Sequence, residues 1–139
     1  MILVKNNERM MYKETDFEKR QCKFVDLLCH LTQLGKATWL RSNIDITWIY
    51  CFIGSERIII DFSDSQETLN LDEIYLDTPF VACYRGYTFL YLGGQLNGDK
   101  LLLLIKNLNI PIDDVQIRKH ERNWRNHLLD ELESFDLNS

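Results

Sequence analysis

A chain of 139 residues that is 45% hydrophobic fits one folded domain and excludes a disordered tail. Its net charge of −5 argues against general nucleic-acid affinity, which rests on neutralising phosphates with Lys and Arg. The four cysteines (Cys22, Cys29, Cys51, Cys83) match no metal-ligand spacing, and Cys22 and Cys29 stand about 10.5 Å apart along a helix, beyond disulfide reach, so all four read as reduced core thiols.

Residues 1–14 show no clear period and read as an arm, with Ile2–Val4 as a candidate added strand. The opening Met-Ile-Leu-Val is too short for a signal core and nothing approaches a membrane span, so the expected location is cytoplasmic. Thr15-Asp-Phe-Glu18 is a capping box, and the helix it opens carries Phe17, Phe24, Leu27, Leu28, Leu31 and Leu34 on one broad stripe. Gly35 is suited to end it, and His30 near that end reads as a surface residue. Lys36–Leu40 is a first strand, and Arg41–Asp45 a turn-rich link.

The chain is organised around a hairpin: Ile46–Ile53, a three-residue loop Gly54-Ser55-Glu56, and Arg57–Phe62. Its first arm is apolar on both faces, which demands cover on both sides or a face kept for a partner. From Ile58 to Tyr84 there are six acids and no Lys or Arg. Within this acidic link Leu69, Leu71, Ile74 and Leu76 fit either a short strand or an irregular cover. A second hairpin follows, Phe80–Tyr84 and Tyr87–Leu92 about Arg85-Gly86, closed by Gly93-Gly94. The leucine run 100–108 is compatible with strand or helix; leucine's preference and Asp99 as N-cap favour helix. After Pro111, Asp113-Asp114 open a last helix whose expected buried stripe is Val115, Ile117, Trp124, Leu128, Leu132 and Phe135.

The order predicts one α+β domain over 1–139: an N-terminal amphipathic helix, an antiparallel sheet of about five strands in two hairpins, and two C-terminal helices packed on the sheet, all helices over one face. In matching register Trp48, Tyr50, Phe52, Tyr87, Phe89 and Tyr91 would gather into one aromatic surface, which is either core or a docking face.

No catalytic constellation stands out. Gly93, Gly94 and Gly98 fit no phosphate loop. His120, Trp124, His127 and Glu131 share a helical stripe, yet the two histidines are about 10.5 Å apart along the axis, too far for one shared metal. Asp61, Asp64 and Glu67 invite a nuclease-like cation site, but no lysine lies between Lys36 and Lys100 to complete it. Arg118, Arg122 and Arg125 adjoin the histidine stripe and suit carboxylate or phosphate forks; the plainer alternative is a solvated face.

The resulting expectation is a non-enzymatic interaction protein of inhibitor, immunity or adaptor type. It has no cofactor, no metal, no membrane and no nucleic-acid partner. It binds a protein, with a second copy as an alternative, through Trp48, Tyr50, Tyr87, Tyr91, Arg118, Arg122 and Arg125. Two alternatives stand beside it. One is a metal-dependent hydrolase or nuclease built from the 61–77 acids and the His120/His127 helix. The other is a small-ligand domain with an aromatic pocket.

Overall fold

The structure is a computed structural model in which residues 15–137 are described, with side chains to 135. Two tight turns set the side-chain parity of its sheet. Ile53 pairs with Glu56, so β2 (Trp48–Ile53) and β3 (Glu56–Asp61) are joined by two residues, Gly54-Ser55, rather than the expected three. Gly54, at φ +57, occupies the first turn position, where a II′ turn needs glycine. β4 (Phe80–Tyr84) and β5 (Tyr87–Tyr91) are joined by Arg85 at φ 48 and Gly86 at φ 81, both left-handed as a I′ turn requires. With β1 (Ala37–Arg41) the strands form an antiparallel meander in the order β1-β2-β3-β4-β5.

Pairing across the sheet puts Trp39, Cys51, Ile58, Tyr84 and Tyr87 on one face, with Ile49, Ile60, Ala82 and Phe89. α1 (Asp16–Gln33) and α2 (Leu96–Lys106) cover that face: Val25 and Leu28 of α1, and Leu101, Leu102 and Ile105 of α2, join the strand residues in the main core. The capping box forms as expected, the Thr15 hydroxyl accepting from the Glu18 N–H and the Glu18 carboxylate from the Thr15 N–H. Gly35, at φ +71, follows the helix. α2 begins at Leu96, so Asp99 lies in its first turn rather than at the cap. The acidic link is an irregular cover with one 3-10 turn, Leu71–Glu73; it contributes Leu69 and Ile74 to the core.

The expectation of helices on one face is corrected. α3 (Asp114–Leu137) lies on the opposite face, where Ile117 packs with Leu40, Tyr50, Phe52 and Ile59. Its start is tied to β1. The Arg41 N–H donates to the Pro111 carbonyl, the Asp113 N–H donates to the Arg41 carbonyl, and the Asp114 carboxylate accepts from the Ser42 hydroxyl (2.5 Å) and the Asn43 N–H (3.0 Å). Asp113 caps the helix by accepting from the Gln116 N–H. Further along, His120 stacks on Phe52, and Arg57 pairs with Glu121 while lying 3.8 Å above the Trp124 ring. The expected buried stripe of this helix holds only in its middle: Ile117 is buried and Trp124 and Leu128 are half-buried, while Val115, Leu132 and Phe135 are exposed.

The register also corrects the single aromatic surface. Trp48, Tyr50 and Phe52 lie under α3, whereas Phe89 and Tyr91 lie under α1 and α2, on the other side of the sheet. The tyrosines therefore have different roles, and three substitutions separate them. Tyr50 is 2% exposed and donates to Asp45 at 2.6 Å. Tyr50→Ala should cost about 3–5 kcal/mol, as for other buried aromatics. Tyr87 is 63% exposed, and Tyr87→Ala should stay within about 0.5 kcal/mol of wild type. Tyr91 is fully buried, and its hydroxyl has no hydrogen-bond partner among the described residues. Tyr91→Phe should be neutral or stabilise by about 1 kcal/mol. Urea unfolding of the three variants checks this order.

Candidate functional site

The apolar residues of α1, from Val25 round to Leu34, span about 180° of the helix at 100° per residue. One sheet face cannot cover so wide an arc. The Gln21, Val25 and Leu28 side is buried; the Phe17, Leu27 and Leu34 side is about half exposed. Between that exposed side and β4–β5 runs a groove of about 380 Å³, lined by Phe17, Phe24, Leu27, Tyr84, Tyr87 and Phe89, with Arg20 and Lys23 in its walls. Its floor is a continuous set of rings: Phe24 lies 5.1 Å from Phe89 and 6.4 Å from Tyr84, and Phe17 lies 5.7 Å from Phe89. An adjoining cavity of about 170 Å³ shares Phe24, Leu27 and Tyr84 and continues to Leu31, Ile53 and Ile58. The groove is thus mostly apolar, built on one helix and two hairpins, with its cations along α1 and Glu56 in the adjoining cavity.

At the same end of the sheet, where the hairpin tips meet α3, lies the densest polar cluster among the described residues. Arg85 donates to Glu56 (2.5 and 2.8 Å) and to Glu131 (2.7 and 3.0 Å), and its Nη2 lies 3.1 Å from His127 Nε2. His127 Nε2 is itself 2.7 Å from Glu131 and 3.3 Å from Glu56. Glu56, His127 and Glu131 are close enough together to share a cation. The Arg85 guanidinium already contacts all three and supplies the positive charge that a metal would bring. Hydrogen bonds from Arg85 hold the Glu131 carboxyl below its ordinary range.

The residues singled out in the sequence are dispersed. Tyr50 and Tyr91 are core, and Trp48 is half-buried beside Tyr50 under α3; only Tyr87 lines the groove. Arg118, Arg122 and Arg125 stand exposed on α3, on the other face of the sheet from the groove. Asp61 is engaged in a local turn, accepting from the Thr47 hydroxyl and the Ser63 N–H. Asp72 and Glu73 line a polar cleft of about 590 Å³ with Arg41 and residues 68–71. None of the 61–77 acids joins the histidines in the one cation-sized group among the described residues. His120 and His127 are likewise separated, one stacked on Phe52 and the other held at Arg85. The Cys51 thiol is pushed up by burial and Cys29 is raised for the same reason, so neither is a ready nucleophile.

Sequence reasoning missed both the groove and the Arg85 cluster. The signal for the groove was the excessive width of the α1 stripe. In the cluster His127 and Glu131 share the helical stripe that the spacing showed, but no spacing rule connects them to Glu56 and Arg85 at the hairpin tips. No protein-family model, no curated protein and no solved structure matches this chain. Among the described residues, no helix is long and apolar enough to cross a membrane.

Two measurements follow from these contacts. Asp114 is held below its ordinary value by the Ser42 hydroxyl and the Asn43 N–H, and Glu131 by Arg85. Because folding lowers these pKa values, their contribution is present above the unfolded value, about 4, and is lost as pH falls through the folded values. The urea midpoint should fall in that acid range, and Asp114→Asn should flatten the fall. Second, with Arg85 in place, neither EDTA nor added zinc should move the wild-type melting temperature.

Proposed function

We propose that this chain is a small non-enzymatic interaction protein that binds a protein partner in the groove between α1 and β4–β5. The observation that carries this reading is the groove itself: an open channel floored by aromatic rings and walled by Leu27 on one side and Tyr84 and Tyr87 on the other. Tyrosines with one face on apolar neighbours and the hydroxyl toward water are the side chains that recur at interface hot spots. The scale and chemistry suit a helix or extended segment that presents an apolar stripe and an acidic flank to Arg20 and Lys23.

The enzyme alternative finds less support, because the polar cluster nearest to a site closes on itself through Arg85. A small-ligand role would draw on the same groove, but a channel open along its length suits a chain better than a compact molecule. The arginines of α3 offer a second contact zone: Arg118, Arg122 and Arg125 face solvent, and none makes an ion pair with another described residue. An acidic partner surface would find there the guanidinium forks that carboxylates favour.

Affinity capture with the tagged full-length chain tests the reading. Leu27→Asp and Tyr87→Ala should leave the far-ultraviolet circular dichroism and melting temperature near wild type and strongly reduce the captured partner. The combined Arg118→Glu, Arg122→Glu and Arg125→Glu variant should also fold, since exposed charges contribute little to stability, and reports separately on the second zone. Undiminished capture by both groove variants would overturn the groove assignment.

A further inference from the structure

Resting on the groove reading, we propose that the groove's occupant is the end of α3 from a second copy of this chain, in a reciprocal two-fold dimer. Around its contact with Arg85 at Glu131, α3 carries apolar side chains that the other described residues leave exposed. Leu129 is 56%, Leu132 60% and Phe135 74% exposed. At 100° per residue these three occupy one stripe about 120° wide, with Glu133 about 40° beyond its edge at Leu129. An exposed apolar stripe flanked by an acid is the chemical complement of an apolar groove flanked by Arg20 and Lys23.

The dimensions agree. Leu129 to Phe135 rises about 9 Å, and the groove-lining part of α1, Phe17 to Leu27, runs about 15 Å. A chain does not fill its own groove, because α3 and α1 lie on opposite faces of the sheet. Both surfaces nevertheless meet at one hairpin tip. Tyr84 and Tyr87 line the groove, and Arg85 between them grips Glu131 of α3. A two-fold axis near that tip carries each helix end toward the other copy's groove, an isologous arrangement that repeats the contact and closes. The mode is helix-in-groove, with anchors at i, i+3 and i+6.

The test is sedimentation equilibrium of the full chain combined with charge reversal. Wild type should associate to a dimer, and Leu132→Asp with Phe135→Asp should abolish it while circular dichroism is unchanged. Arg20→Glu with Lys23→Glu makes every groove acidic, and Glu133→Lys makes the flank of every helix end basic. Each of these variants alone should weaken dimerisation at least about 10-fold, since each sets like charges face to face in both contacts. Mixed one to one, the two variants should regain the wild-type dimer, because in the heterodimer both contacts are again of opposite sign. A wild type that stays monomeric to about 100 µM overturns the proposal, as does a mixture no tighter than its parts. A dimer that survives Leu132→Asp with Phe135→Asp overturns it too. Any of these results beside groove variants still defective in partner capture means that the groove has another occupant. Groove variants that behave as wild type in both assays would remove the groove reading itself.

Discussion

The burial of β2 and β3 on both faces is the constraint from which the rest of the architecture follows. Ile49, Cys51, Ile58 and Ile60 point one way and Tyr50, Phe52 and Ile59 the other, and every one is buried. A strand pair with no face for water must be covered twice. α1 and α2 share the first face, side by side, with the Lys100–Asp26 ion pair between them. That leaves α3 alone on the second. One helix cannot span five strands, so it follows the most apolar part, from β1 to the tips of the hairpins. Thr88 and Leu90 are left exposed at the far edge, and Val81 and Cys83 only partly covered.

Much of this was legible in the residues. The Thr15/Glu18 box, Gly35, the two hairpins and the start of the last helix at Asp113-Asp114 each rest on contacts between near neighbours in sequence, where local chemistry decides the outcome. What was not legible is the parity between hairpins. Within each one, a two-residue turn fixes which side chains face together. Between β3 and β4, parity depends on where the irregular link 62–79 lets Asp61 meet Val81. A shift of one residue there would have put Tyr87, Phe89 and Tyr91 on the same face as Tyr50. The link carries no periodic pattern, because its buried anchors, Leu69 and Ile74, are placed by an irregular path and a 3-10 turn. The six-ring surface expected from the hairpins therefore splits into two cores.

The candidate site was legible only as an excess. Six apolar positions on α1, with Val25 beyond them, fill about half the helix circumference, and a helix resting on a sheet needs less. The excess was readable as a wide core stripe; in the structure it is the wall of an open groove. The last turns of α3 repeat the pattern. Leu132 and Phe135 continue the spacing of a buried stripe past the point where the sheet ends, so periodicity extends further than the surface that would justify it. In both helices a hydrophobic repeat specifies a contact without specifying which chain supplies the other side.

Arg85 joins these features. An arginine with a left-handed backbone stands where Asn, Asp or Gly is the ordinary choice for a I′ turn, so its side chain must compensate for the conformation. It does so by binding Glu56 from the neighbouring hairpin and His127 and Glu131 from α3. The two hairpin tips and the helix are thereby held as one piece. Tyr84 and Tyr87, the residues on either side of that turn, line the groove. The clamp reaches both faces of the sheet at this tip, because Glu56 also lines the cavity that continues the groove. A guanidinium thus stands at the centre of a site that has the ligand types of a metal centre.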